Sequence, residues 1–305
     1  MKLVSNIVFT RNRPLQLEGY LESLYRYFPA KLFQTCILYK VELFEQQYQQ
    51  VFSRYPNCKV IIEKDFRTDF LSILGQVDTQ YTLFGVDDVV YFDGVDFGQI
   101  DQAFRQFEGD IFGFSLRLSP ANLIDSGDNI SETSLGEDRV FSLDWTRGQT
   151  PTTRYPFELC ATVYPTELVK RVISSTANKN PVIETLFAPN SVLIRTLGKA
   201  MKTRSILKKF GYFFNPNTLE SWNCRWCRNN PERLPSKLFF QKLCASAVQV
   251  NLVNTATRNE FDDSGGFTVQ LLAEKYKQGY KLDIDYVANQ KPTGTHSGPE
   301  HFKLI

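Results

Sequence analysis

Along the first third of the chain, short β-branched runs alternate with longer stretches whose apolar residues recur at helical spacing. Ile7–Thr10 reads as a strand, and Leu17, Leu21, Leu24 and Phe28 then fall on one helical stripe, predicting a helix over Leu15–Tyr27 that Pro29 stops. The alternation continues with a strand at Cys36–Lys40, a helix over Glu45–Tyr55 ending before Pro56, and a strand at Lys59–Glu63. A helix over Thr68–Gln76 leads to a fourth strand, Tyr81–Val86, which runs directly into Asp87 and Asp88. Strands separated by helices of this length cannot pair as hairpins. They predict an α/β fold with a Rossmann-like, doubly wound, mixed but mostly parallel sheet.

Beyond Asp88 the pattern loosens. Ile111–Leu118 reads as a strand, and the segment from Ser119 to Tyr155, rich in Ser, Gly, Asp, Thr and Pro, reads as a long loop of the kind that faces substrate. A strand over Phe157–Pro165, a helix over Thr166–Ser174 and a strand at Tyr212–Phe214 follow, then a helix capped by Asn217 and running through Trp226. With no repeat and no linker long enough to separate domains, residues 1–305 read as one domain with two halves, 1–118 and 119–305.

Composition narrows the partners. Lys+Arg 35 against Asp+Glu 33 leaves a formal charge of +2, too little for an overall field that would hold nucleic acid. Six scattered cysteines suit free thiols in a reducing compartment, no stretch approaches the roughly 20 apolar residues that cross a bilayer, and the N-terminus lacks the apolar core of a signal peptide. The expected location is cytoplasmic. Residues 199–214, with Lys199, Lys202, Arg204, Lys208 and Lys209 interleaved with apolar residues, read either as a charged helix packed on the core or as a peripheral contact at the inner face of a membrane.

In an open parallel sheet, ligands bind beyond the carboxyl ends of the strands. Those positions carry Thr10, Arg11 and Arg13, then Glu63, Asp65 and Arg67, then Asp87 and Asp88. Adjacent carboxylates at the end of an apolar strand either cap the next turn or share a hard divalent ion with a diphosphate. The neighbouring arginines either match phosphate oxygens or pair with those carboxylates. Gly-x-Gly-x-x-Gly and the P-loop pattern are both missing, which argues against a dinucleotide oxidoreductase and a P-loop ATPase.

The run Val8-Phe9-Thr10-Arg11-Asn12-Arg13-Pro14-Leu15-Gln16-Leu17, followed by Phe84-Gly85-Val86-Asp87-Asp88, resembles the nucleotide-sugar-binding half of GT-A glycosyltransferases, especially the family 2-like group, over roughly residues 4 to 118. The resemblance implies a nucleoside-diphosphate-sugar donor lined by Thr10, Arg11 and Arg13, a base read by Glu63 or Asp65, and Mn²⁺ or Mg²⁺ on Asp88, with Asp87 on ribose or metal. Val86 stands where many members carry the first Asp of Asp-x-Asp, which shortens the carboxylate set.

The second half is expected to bind the acceptor, a glycan, lipid-linked or small-molecule hydroxyl. Glu220 is read either as answering the helix cap or as the general base of an inverting transfer, with Glu158 as second choice. Both histidines, His296 and His301, fall near the C-terminus between Gly294 and the end of the chain; similarity to metal-dependent GT-A enzymes implies a C-terminal lid with His296 on the metal or the diphosphate. Cys224 and Cys227, one helical turn apart and without a second pair, make a poor zinc site. Two other readings stand beside glycosyl transfer: a sugar-phosphate nucleotidyltransferase, which would carry a glycine-rich first loop, and a catalytically silent nucleotide- or carbohydrate-binding protein.

Overall fold

The computed structural model describes residues 2–107, 109–135, 138–177, 213–230, 234–251 and 266–305. Among them the main sheet has nine strands, in the order β3-β2-β1-β4-β9-β6-β10-β8-β7. Here β1 is Val4–Arg11, β2 Phe33–Lys40, β3 Lys59–Ile62, β4 Tyr81–Val86, β6 Ile111–Ser115, β7 Ile130–Leu135, β8 Asp138–Asp144, β9 Thr162–Pro165 and β10 Ser236–Phe239. The first four are parallel neighbours. β9 then runs antiparallel between β4 and β6, and β8 antiparallel between β10 and β7, so the other seven strands share one direction. The strand order reverses at β1, between β2 and β4, and a mononucleotide crevice belongs at such a switch point.

Both faces of the sheet are covered, as the near-continuous apolar strands require. In β1, Val4 and Val8 belong to one core and Ile7 and Phe9 to the other. The first core packs α1 (Pro14–Tyr27), α2 (Glu45–Arg54), α4 (Phe97–Gln106), α7 (Val269–Lys277) and α8 (Ile284–Gln290). The second packs α3 (Phe66–Gly75), α5 (Thr166–Thr176) and α6 (Pro216–Asn229). Leu17, Leu21, Leu24 and Phe28 all lie in the first core, as their spacing predicts. A second, three-stranded sheet joins β5 (Val89–Tyr91), β11 (Ala245–Val248) and β12 (His296–Ser297) directly beside the Asp87-Asp88 turn.

Several expectations for the second half are corrected. Ser119–Tyr155 is not one long loop, because β7 and β8 form a hairpin on the sheet edge there. The strand expected over Phe157–Pro165 begins only at Thr162: the preceding residues turn through Ala161, at φ 47°, and Glu158 is held by side-chain contacts instead of a ladder. Phe213 and Phe214 belong to no strand, and Tyr212 lies outside the described residues. The helix after them is capped by Asn215, which exchanges hydrogen bonds with Thr218, and Pro216 sits at its first position. Asn217 is therefore already inside the helix. The basic segment 199–212 also lies outside the described residues, and among the described helices none is long and apolar enough to cross a membrane.

Gly85 in β4 has a packing role. A Cβ there would stand 2.1 Å from the Tyr20 hydroxyl, which donates to Asn6 Oδ1 from inside the core. Gly85→Ala is expected to cost about 3 kcal/mol through overpacking, read as a lowered urea midpoint. An unchanged midpoint would mean that Tyr20 does not rest on β4.

Candidate active site

The donor side is built at the carboxyl ends of β1 and β4. Asp87 is buried, and both its oxygens are engaged: Oδ2 accepts from Thr10 Oγ1 at 2.8 Å and from the Arg11 amide at 3.3 Å, and Oδ1 accepts from Arg13 at 2.9 Å. The same Arg13 nitrogen reaches Asp88 Oδ2 at 3.2 Å. Burial raises the pKa of Asp87 and the adjacent Asp88 adds to this, while Arg13 pulls it back down. Arg13 also donates Nε to Asn251 Oδ1 at 2.8 Å and Nη2 to the Asn251 carbonyl, and Gln16 donates to the same side-chain oxygen. Tyr48 completes the layer, with its hydroxyl 2.8 Å from Thr10 Oγ1 and accepting from the Arg13 amide.

The three arginines do not converge. Arg13 is the salt-bridge partner of the acidic pair. Arg11 turns outward to form a bidentate pair with Glu42, and Arg67 is buried with its guanidinium 4.9 Å from the Phe213 ring centroid. Asp65 caps α3 by accepting from Thr68, and Glu63 pairs with Lys40 at 3.1 Å. Both carboxylates stay half-buried at the rim.

The metal set inferred from the sequence is not assembled. His296 lies in β12, in register with Ala247 of β11, which in turn pairs with Val89, so two strand spacings separate it from the acidic turn. Among the described residues, no group of three or more His, Cys, Asp or Glu side chains could hold a metal ion. Asp87 accepts three hydrogen bonds and Asp88 one from Arg13, so the two adjacent carboxylates already share a cation, and alone they fall short of the oxygen set a hard divalent ion takes. Among the described residues the expected metal set is therefore incomplete.

The C-terminal segment is tied to the second sheet and to α8. The Ala247 amide donates to the Thr295 carbonyl and the Gln249 amide to that of Ser297, while Lys281 and Ile305 exchange backbone hydrogen bonds near the chain end. His301 contacts Glu300.

Glu158, in the second half of the chain, is the centre of an ionic cluster that the sequence did not disclose. Glu158 accepts from Lys237 at 2.6 Å, Arg117 at 2.5 Å and Thr162 at 2.7 Å. Burial would raise its pKa, but Lys237 and Arg117 outweigh that and hold it well below the ordinary carboxylate range. So anchored, Glu158 is paired with two cations and holds a proton weakly. Glu220 is different. It stands on the fifth residue of α6, too far along to answer the cap, and accepts one backbone hydrogen bond from Leu159 at 3.3 Å. Burial, then the negative Glu158, push its carboxyl up to about 7. Cys160 lies within electrostatic reach of both Glu220 and Asp88, and burial, aided by those carboxylates, pushes its thiol pKa up. Cys224 is buried and hydrogen-bonded to the Phe157 carbonyl, a packing role, and Trp145 is buried with its indole on the Leu234 carbonyl.

Arg117, Lys237 and Asn251 are the site residues that the sequence reading missed. Arg117 ends a recognisable strand and was open to the carboxyl-end rule that singled out Asp87 and Asp88. Lys237 and Asn251 carry no local signal, because their partners are 79 and 238 residues away.

Fold and site together define a mixed α/β protein with a mostly parallel central sheet, and with an acidic turn and a guanidinium at the switch point of that sheet. No family model matches the chain. It is similar to the bifunctional glycosyltransferase pgtA of Dictyostelium discoideum, 23% identical over 190 residues, which covers 55% of this chain and 24% of that protein. The chain thus spans about a quarter of the length of the curated relative it matches. Among solved structures, S. aureus TarS 1-349 in complex with UDP-GlcNAc aligns with a TM-score of 0.39 and 18% identity over 56% of this chain and 47% of that one. A cytidylyltransferase from Leptospira borgpetersenii aligns with a TM-score of 0.34 and 12% identity over 71% of this chain and 77% of that one.

Proposed function

We propose that the chain is a glycosyltransferase that moves a sugar from a nucleoside-diphosphate donor to a hydroxyl acceptor with inversion. The observation that carries this reading is Glu220, a half-buried carboxyl held by the Leu159 amide at 3.3 Å and pushed up to about 7 by burial and the negative Glu158. A base works best when its pKa lies near the working pH, since it must be ionised yet still hold a proton. Glu220 takes the proton of the acceptor hydroxyl as that oxygen bonds to the anomeric carbon. The bond from that carbon to the donor diphosphate breaks, and the diphosphate leaves with the electron pair.

The donor nucleotide lies across the carboxyl ends of β1, β3 and β4, with Glu63 and Asp65 at the base, Thr10, Arg11 and Arg13 along the first loop, and Asp88 nearest the diphosphate. Similarity to pgtA supports the transferase class. The acceptor reading, whether a glycan, a lipid-linked sugar or a small-molecule hydroxyl, rests on the second half of the chain.

A thermal-shift screen of UDP, GDP, dTDP and CMP, each with and without Mn²⁺, tests the donor site. A nucleotide at 100 times its Kd that binds only the folded state adds about 2.7 kcal/mol of stability, so one of the four is expected to raise the Tm by several degrees. If none does in either condition, the donor reading fails. A shift that requires Mn²⁺ would show that the donor phosphates complete a metal site the protein alone does not assemble.

A further inference from the structure

Glu220 is surrounded by groups from five parts of the fold. Cys224 lies one turn ahead on α6; Tyr155, Glu158 and Cys160 come from the segment before β9, and Tyr164 from β9 itself; Arg117 follows β6, and Lys237 belongs to β10. The charged members are Glu158, Arg117 and Lys237. Side chains of all three are at most 7% exposed. Two buried cations, Arg117 and Lys237, both bond to Glu158 and neither to Glu220, which is held by a backbone amide.

The trio is also tied mechanically to its neighbours. The amide that holds Glu220 belongs to Leu159, the residue directly after Glu158. Lys237 donates a second bond to the Tyr155 carbonyl at 3.1 Å, fixing the start of the same segment, and Arg117 donates its other terminal nitrogen to the Thr295 carbonyl at 2.8 Å. Position and charge at Glu220 are thus set from one point. Burying three ionised side chains is costly and often contributes nothing to stability that apolar packing would not, so stability alone is a weak reason for the trio.

We propose that Glu158 is a positioning residue: clamped by Arg117 and Lys237, it places the Leu159 amide on Glu220 and governs when Glu220 carries its proton. The proposal rests on the reading of Glu220 as the base, and it makes a signed claim. Removing the negative charge of Glu158 should favour ionised Glu220, and removing the positive charge of Lys237 should disfavour it.

The test is the titration of Glu220 in the full chain, followed by its carboxyl infrared band, assigned as the band that disappears in Glu220→Gln. This readout needs no substrate. In Glu158→Gln the midpoint is expected to fall by about one pH unit, and in Lys237→Met to rise by a smaller amount, since removing a nearby like charge favours the ionised carboxyl and removing an opposite one disfavours it. The acid limb of kcat/KM should move with each midpoint, and Glu158→Asp should restore both. A purely structural role would lower Tm and leave the midpoint in place. Midpoints that stay put in either folded variant, or move the same way in both, overturn the proposal. Should Glu158→Gln not fold, the direction in Lys237→Met decides alone. Loss of the base reading is separate: it would appear as full activity in Glu220→Gln, whatever the titrations show.

Discussion

Glu220→Gln is expected to lower kcat for sugar transfer by about 10²–10⁴-fold, the usual contribution of a positioned base, while the nucleotide-induced rise in Tm stays within error of wild type. The amide keeps the size of the side chain and its bond to Leu159, so the donor side at Asp87 and Arg13 is untouched. In the wild type, kcat/KM should fall as the pH drops through about 7, because protonated Glu220 cannot accept the acceptor proton. Stability runs the other way. The folded-state pKa of about 7 lies above the ordinary 4.5, so the native state holds this proton more tightly than the unfolded chain does between those values. The contribution is fully present below about 4.5 and lost as the pH rises through about 7. At pH 8 the ionised, partly screened carboxyl therefore costs on the order of 2 kcal/mol, and Glu220→Gln should unfold at higher urea than wild type there. Activity within threefold of wild type would remove Glu220 from the chemistry.

Arg13→Met is expected to destabilise the chain by about 3–5 kcal/mol, because it leaves Asp87 buried without its cation and strips Asn251 of two donors. Arg11→Met, which breaks an exposed pair with Glu42, should cost no more than about 1 kcal/mol. Urea unfolding of the two variants gives the comparison directly. The two arginines are two residues apart at the end of the same strand, so a similar loss in both would mean that Arg13 does not serve as the buried counter-ion of the acidic turn. The nucleotide Tm shift should also vanish in Arg13→Met, since Thr10 and the Arg11 amide are held through the carboxylate that Arg13 neutralises.

The first half of the fold was legible because each element announces itself locally. β4 was bounded at Tyr81–Val86 from its apolar run alone, and α1 from one leucine stripe and a proline. The second half was not, because its elements are short and defined by distant partners: β9 keeps four residues between β4 and β6, and β11 is a four-residue strand identified only by pairing with β5 and β12. Asn217 was taken for the cap since an Asn two residues after another Asn offers the same local signal. The choice of Asn215 follows from Thr218, whose hydroxyl sits 3.1 Å from the Asn215 side chain and accepts from its amide.

The sequence by itself determined the doubly wound core, the position of Asp87 and Asp88 at the end of a central strand, and Glu220 as one of two candidate bases. The first two follow from side-chain periodicity and strand polarity, properties of neighbouring residues; the last follows from a carboxyl near a helix start and from the resemblance to inverting GT-A enzymes. Only the tertiary structure decided which charges are already neutralised. Arg13 is paired with the acidic turn, Arg11 with Glu42, and Glu158 with Arg117 and Lys237, while Glu220 is held by a backbone amide and has a raised proton affinity. A carboxyl's proton affinity depends on burial and on charges within a few ångströms in space, and the chain brings those together from positions as far apart as 117 and 237.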